Sequence, residues 1–500
     1  MSILKKLAGE TAIYGGSTVI SRLLNFIIVT PYLTRVFEGP RREEYGIHGL
    51  MYGFSALLLV LLIYGMETAY FRFASREEDK RAAFSTAAFS LLGSTVLFVV
   101  LLLLFAEPVA GIITRPGDAI YIVFFAFIIG CDVLCAVPYA KLRLENRPYR
   151  FAALKILNIL VNAFFLLFFL EALPRLSEAG WSWADLIYAP QRELSFVFIA
   201  NLIASTVSFL IFLPLYVRTR AAFDHLLWRR MLVYALPLVI VGFSGMINQL
   251  ADRFLLRYLL PGSLEQNLEQ VGIYAGCAKI AVLMSLFTQA FRYASEPFFF
   301  RYAEQSDARQ MYAQVGQAFA LVGSLAFLGI MLYMDLVRYL VDESYWVGLE
   351  IVPVLLLAYL LLGLYYNLSV WYKLTDLTHL GGYVSVGGVG VTLAANFLLI
   401  PRIGILGAAW ATFACFAFIL IVSYFLGRKY YPVPYPALKI LTYIGLAVGA
   451  FLFARPVYTY LEGSMFLRLL AGTAILLLYT GIIFWLERRH LYRIFPFLRR

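Results

Sequence analysis

AFSTAAFSLLGSTVLFVVLLLLFA, residues 83–106, runs without one charged side chain. A helix of that length rises about 36 Å, more than the roughly 30 Å of a bilayer's hydrocarbon core. Similar runs lie on both sides of it. Upstream they fall near 10–34 and 46–71; downstream they fall near 118–140, 151–173 and 194–217. A second series follows near 231–256, 270–291, 311–334, 347–372, 381–401 and 404–427, and a last pair near 437–455 and 466–486. The expected fold class is therefore an all-α integral membrane protein with about 14 transmembrane helices.

Composition points the same way. Of the 500 residues 62% are hydrophobic and 14% charged, and the mean hydropathy is +0.80, far above the range of soluble domains. The 34 Tyr and 42 Phe suit helices that end at a lipid–water boundary. The net charge of +11 sits in short clusters between apolar runs, which argues against a nucleic-acid partner. Cys131, Cys135, Cys277 and Cys415 lie inside apolar stretches without metal-ligand spacing. His48, His225, His379 and His490 are scattered, and no nucleophile elbow, Walker loop or HExxH sequence accompanies them. Neither an enzyme, a metal site nor a cofactor is expected. Near the amino terminus Lys5 and Lys6 precede the first apolar run without a small-residue cleavage site, so that run is expected to be retained.

Lys and Arg concentrate in alternate connections, such as Lys141, Arg143, Arg147 and Arg150, then Arg218, Arg220, Arg229 and Arg230. Cationic loops stay on the cytoplasmic side, so both termini are expected there. An internal echo is visible. EEYGIHGLMYG at 43–53 resembles EQVGIYAGCAK at 269–279, and Lys155, Asn158 and Asn162 resemble Ser385, Thr392 and Asn396 as polar stripes at helical spacing. Six spans per repeat would leave both halves pointing the same way, as two six-helix lobes related by a pseudo-twofold along the membrane normal. The expected division is an N-lobe at 1–220, a C-lobe at 221–430, and a helix pair with a basic tail at 431–500.

An ionisable side chain deep in a bilayer normally faces a partner or a water-filled cavity. Arg22, near the middle of the first run, shares a helical face with Tyr14, Thr18, Ser21 and Asn25. Lys279 lies deep in the eighth run, and Arg292 follows it in a polar stripe with Ser285 and Gln289. Lys155 lies nearer an end, within snorkelling reach. Asn248 and Asp252 share a face of the seventh run. Asp252, Glu67 and Asp132 are the acids placed to bind a coupling ion.

Four segments carry a family resemblance: SRLLNF at 21–26, YALPL at 234–238 with Asp252-Arg253, VGIYAGCAK at 271–279, and NFLLIPRIGILGAAWAT at 396–412. In them the chain resembles the polysaccharide transporters and oligosaccharide flippases of the multidrug, oligosaccharidyl-lipid and polysaccharide exporter superfamily. The resemblance implies two lobes in a V around a central cavity, alternating access, and an undecaprenyl-diphosphate-linked oligosaccharide as cargo. With such a cargo, the deep cations Arg22 and Lys279 are the residues expected near the diphosphate, and Tyr14, Asn25, Asn248 and Tyr274 those expected toward the sugar. It also implies a bacterial cytoplasmic membrane, a proton or sodium gradient as drive, and a polysaccharide polymerase or glycosyltransferases as neighbours. Two alternatives stay open, a cation-coupled antiporter of small amphipathic molecules and a lipid II flippase. Lipid II flippases carry a similar SRxLGF segment with a second arginine six positions on, where this chain has Asn25 and Ile28.

Overall fold

The structure, a computed structural model, describes Leu23 and residues 25–75, 80–189, 192–219, 223–303, 305–375, 377–461 and 463–494. Among the described residues every regular element is helical. The principal helices are α1 (Thr30–Val36), α2 (Arg42–Ile63), α3 (Met66–Ala74), α4 (Lys80–Leu104), α5 (Ala106–Ile113), α6 (Ala119–Leu144), α7 (Pro148–Leu167) and α8 (Glu193–Arg218). They continue as α9 (His225–Leu259), α10 (Leu264–Tyr302), α11 (Ala308–Leu332), α12 (Val352–Leu368), α13 (Val370–Leu374), α14 (Thr378–Tyr430), α15 (Ala437–Tyr460) and α16 (Met465–Ile494).

Twelve stretches of the described residues are long and apolar enough to cross a membrane. One of them, α14, is two spans. Ile403 (φ −131°, ψ 20°) and Gly404 (φ 59°, ψ −139°) leave helical geometry just after Pro401. Gly404 occupies backbone space that only glycine enters freely. An added Cβ at Gly407 would lie 2.5 Å from the Leu399 carbonyl oxygen, so the two arms close on each other with no room for a side chain. The runs expected at 381–401 and 404–427 are thus joined by a kink. The first expected run lies mostly outside the described residues; its end is the π-helical turn Asn25–Val29 and α1. Twelve stretches, one of them double, together with that first run, agree with the expected count of about 14.

The expected second span is broken. Tyr64 and Gly65 both take positive φ, 33° and 70°, and separate α2 from α3. An added Cβ at Gly65 would meet the Ala235 carbonyl at 3.0 Å, so the break lets the chain pass close to α9. Tyr64 exchanges a hydrogen bond of 2.6 Å with Ser90 on α4.

The chain forms two compact units, one of residues 1–275 with 385–411, the other of residues 276–384 with 412–500. In the first, Phe198 packs edge-on to Phe125 at 4.9 Å, and Phe125 edge-on to Tyr52 at 5.3 Å. His48 lies 4.6 Å from the Tyr52 ring and belongs to this aromatic core. On α4, Leu97, Leu101 and Leu104 are exposed, a stripe suited to lipid contact. In the second unit α11 and α12 interlock reciprocally: Gly323 receives Leu360, and Gly363 receives Phe319. The last helix pair is tied to α11 by polar contacts. Gln317 donates to the Tyr443 hydroxyl at 2.7 Å, Tyr443 donates to Glu487 at 2.7 Å, and Tyr458 donates to the Leu332 carbonyl at 2.7 Å. Glu487, 5% exposed, also takes Lys439 at 2.8 Å. Side-chain bonds of this kind hold helices together where hydrocarbon offers no hydrophobic drive.

Candidate functional site

The first unit holds three polar constellations. One joins α9 to the first arm of α14. Asn248, 5% exposed, donates to the Ser385 carbonyl at 3.1 Å and accepts from the Thr392 hydroxyl at 3.0 Å. Asn396, fully buried, donates to the Thr392 carbonyl one turn back at 2.7 Å. One turn along α9 from Asn248, Asp252 accepts the Tyr274 hydroxyl of α10 and the Arg253 backbone N–H at 2.8 Å. The polar stripes of the two helices thus meet face to face. Asn248 serves here as a brace, with both ends of its amide engaged.

The second constellation lies among α6, α7 and α8. Lys155 holds its ammonium 4.1 Å above the Tyr139 ring, and its charge acts on Asp132, which also interacts with Ser205. Nearby, Asn158 donates to Ser208 at 3.0 Å, and Asn201 of α8 donates to Tyr52 of α2 at 2.9 Å. Every hydrogen-bonding side chain named here has a specific partner, which is what a polar cluster inside a membrane domain requires. Glu67 borders the second group; it sits on α3, past the helix break, pairs with Arg143, and its charge acts on Lys155 as well.

The third constellation is a backbone contact. An added Cβ at Gly46 would collide with the Leu268 carbonyl oxygen and lie 3.0 Å from the Gly272 nitrogen. One at Gly272 would collide with the Arg42 carbonyl oxygen and lie 3.1 Å from the Gly46 nitrogen. Each glycine faces the carbonyl four residues before the other, so α2 and α10 cross about a local twofold. Arg42 pairs with Glu269 beside it. These glycines occupy matching places in the two echoing segments. Glycine inside a helix is unfavourable by about 1 kcal/mol relative to alanine, and close helix approach is the reason to keep it.

Ion pairs surround that crossing. Arg41 bridges Glu44 at 3.0 Å and Glu193 at 2.9 Å; Arg115 bridges Glu43 at 3.1 Å and Asp118 at 3.3 Å. Burial pushes the Asp118 carboxyl up, with the Arg115 guanidinium opposing. Arg257 donates to the carbonyls of Thr114 at 2.8 Å and Gly111 at 2.7 Å, capping α5. Sequence reasoning missed that role, because Arg257 looks like one more loop cation until α5 is seen to end against it.

In the second unit Lys279 is half-buried on α10, and Arg292 stacks 4.8 Å from the Tyr366 ring. Arg22 and Tyr14 lie outside the described residues, and of Asn25 the backbone alone is described, in the π-helical turn.

The fold has known counterparts. The lipid II flippase MurJ in an inward closed conformation superposes with a TM-score of 0.72 at 13% identity, covering 94% of this chain and 98% of that one. An inward-facing multidrug resistance MATE family transporter of the MOP superfamily gives 0.61 at 14% identity, covering 84% and 97%. A MOP superfamily transporter from Pyrococcus furiosus, described as having a binding pocket of reverse polarity, gives 0.55 at 13% identity, covering 84% and 96%. At such identities the likeness is one of fold. No curated protein sequence matches the chain. The model of one sequence family, described as polysaccharide biosynthesis protein, does match, over residues 7–303. That span holds the Gly46 and Gly272 segments, the cluster around Asp132 and Lys155, and Asn248 and Asp252 of the other cluster, and on this match the chain belongs to the polysaccharide biosynthesis protein family.

Proposed function

We propose that the protein flips an undecaprenyl-diphosphate-linked oligosaccharide across the bacterial cytoplasmic membrane by alternating access, supplying cell-surface polysaccharide synthesis. The observation that carries this reading is the family match over 7–303, joined to the fold of a transporter superfamily. Cations deep in the spans, Arg22 and Lys279, suit a diphosphate, because charge-assisted hydrogen bonds strengthen where water is excluded. Asn25, Tyr14, Asn248, Arg292 and Lys155 complete the proposed substrate set. The moving bodies are the two six-helix lobes, 1–220 and 221–430, with 431–500 as an accessory helix pair.

Asp252 is the acid proposed to take the coupling proton or sodium ion. It is buried and held by a tyrosine hydroxyl and a backbone N–H, whereas Glu67 pairs with Arg143 and Asp132 faces Lys155. A polymerase or glycosyltransferase would meet the product or the substrate at the two faces. Mass spectrometry of lipid copurifying with the protein tests the cargo, with a diphosphate-linked saccharide expected. A deletion strain should accumulate that lipid on the inner leaflet while its sensitivity to cationic drugs stays unchanged. Drug hypersensitivity with normal surface polymer would overturn the reading in favour of an antiporter.

Orientation gives a separate prediction. With both termini cytoplasmic, an impermeant thiol reagent should label single cysteines at Arg41, Arg115 and Gln266 from outside, and at Arg147 and Arg220 only after the cell is opened. Labelling of position 115 from the cytoplasm alone would reverse the proposed topology.

A further inference from the structure

We infer that a recess at the end of α14 binds the phosphate of an anionic membrane phospholipid, with the Trp371 indole N–H, the Ser423 hydroxyl and the Arg428 guanidinium as its donors. The recess is shallow and open to the outside, and is bounded by α13, the last turns of α14 and the segment holding Tyr431 and Tyr435. Trp371 is 3% exposed, yet its Nε1 has no hydrogen-bond partner. An indole can only donate, and a buried donor without an acceptor is costly, so this wall of the recess calls for an acceptor.

The other groups have the same character. Ser423 is fully buried and its oxygen accepts from the Tyr372 hydroxyl at 3.0 Å, which leaves its own proton to donate. Arg428 is exposed at the rim and has no acceptor capacity. Burial pushes the Tyr435 phenol up, so it stays a hydroxyl. Gly427 keeps the approach open, since a Cβ there would sit 3.0 Å from the indole nitrogen. Among the described residues that line the recess none is acidic. A buried indole N–H without an acceptor, beside a guanidinium and with no carboxylate in the lining, suits an oxyanion.

Position decides the source of that oxyanion. On α14 the exposed Ile421 and Phe425 precede Arg428 by seven and three residues, on one helical face. Leu438 and Leu441, at the start of α15, are also exposed. An apolar, outward stripe that ends in Arg428 and Lys429 marks headgroup depth, where a lipid's phosphate lies level with the cations while its chains follow the leucines and phenylalanine.

The test uses the full chain in phosphatidylcholine nanodiscs with and without phosphatidylglycerol, read by native mass spectrometry of retained lipid and by thermal unfolding. Phosphatidylglycerol is expected to stay bound to the parent and to raise its Tm. Trp371→Phe, which keeps an aromatic ring and loses the N–H, and Arg428→Gln should each weaken retention about tenfold, and Arg428→Gln should unfold as the parent does in phosphatidylcholine alone. Arg428→Gln changes an exposed side chain and is sufficient by itself to decide the matter if Trp371→Phe proves unstable. Retention by Arg428→Gln equal to the parent's would overturn the site. Inorganic phosphate raising the Tm in phosphatidylcholine as far as phosphatidylglycerol does would overturn the lipid as its source.

Discussion

Gly46→Leu is expected to abolish transport, and Gly46→Ala to slow it about tenfold or more, in a protein that still inserts and folds. The added Cβ collides with the Leu268 carbonyl, a backbone atom that cannot rotate away, so α2 and α10 must separate where they now touch. Overpacking of this kind costs about 1 to 3 kcal/mol, or roughly a five- to 150-fold shift in a two-state ratio. In alternating access that penalty falls only on the state in which these ends are closed, and a cycle that must pass through both states slows accordingly. Gly272→Ala should match it, because the contact is reciprocal. Gly93→Ala is the control: it sits in a helix with nothing within 4 Å of an added Cβ, and transport should be unchanged. Spin labels at Glu38 and Glu265, both exposed, measure the separation directly. An unchanged distance distribution in Gly46→Leu would remove the contact from any gating role.

The glycine crossing also shows how far the sequence could be read. Apolar run length located the spans because crossing a hydrocarbon layer sets a minimum helix length and forbids unpaired backbone there. The gap between the runs at 381–401 and 404–427 falls on the kink in α14, where Pro401 and Gly404 each break helix for a local reason that needs no tertiary partner. The echo around Gly46 and Gly272 was visible too, yet that the two copies touch each other was not, because contact between distant helices depends on how the whole bundle packs. The break at Tyr64 and Gly65 escaped for a related reason. An αL tyrosine is locally unfavourable, and only the passage of α9 beside it accounts for the turn.

The polar residues divide in the same way. Helical spacing places Asn248 with Asp252, and Thr392 with Asn396, on single faces. It gives no means of knowing that those faces bond to each other, which makes Asn248 a brace between α9 and α14 as well as a member of the proposed substrate set. Asp132 and Lys155 lie on different runs with nothing in the sequence to join them, though the fold brings them within electrostatic reach. A buried polar side chain announces from sequence that it needs a partner. It does not announce which one.

Arg22→Ala is expected to abolish transport while leaving the protein folded and inserted. From its place in the sequence Arg22 is expected near the middle of the first run, too deep to snorkel easily and on one helical face with polar residues. If it grips a diphosphate in a narrow, partly dehydrated cavity, Arg22→Lys should keep only part of the activity. An ammonium retains the charge but loses the planar fork that holds two phosphate oxygens at once. A buried structural ion pair would behave differently, since removing one partner costs roughly 3 to 5 kcal/mol of stability. The two roles therefore differ in which property fails first. Thermal unfolding in detergent, measured beside transport of lipid-linked saccharide in vesicles, separates them. A large fall in Tm for Arg22→Ala, or transport at the parent's rate, would take Arg22 out of the substrate site and leave Lys279 as the cation to test next.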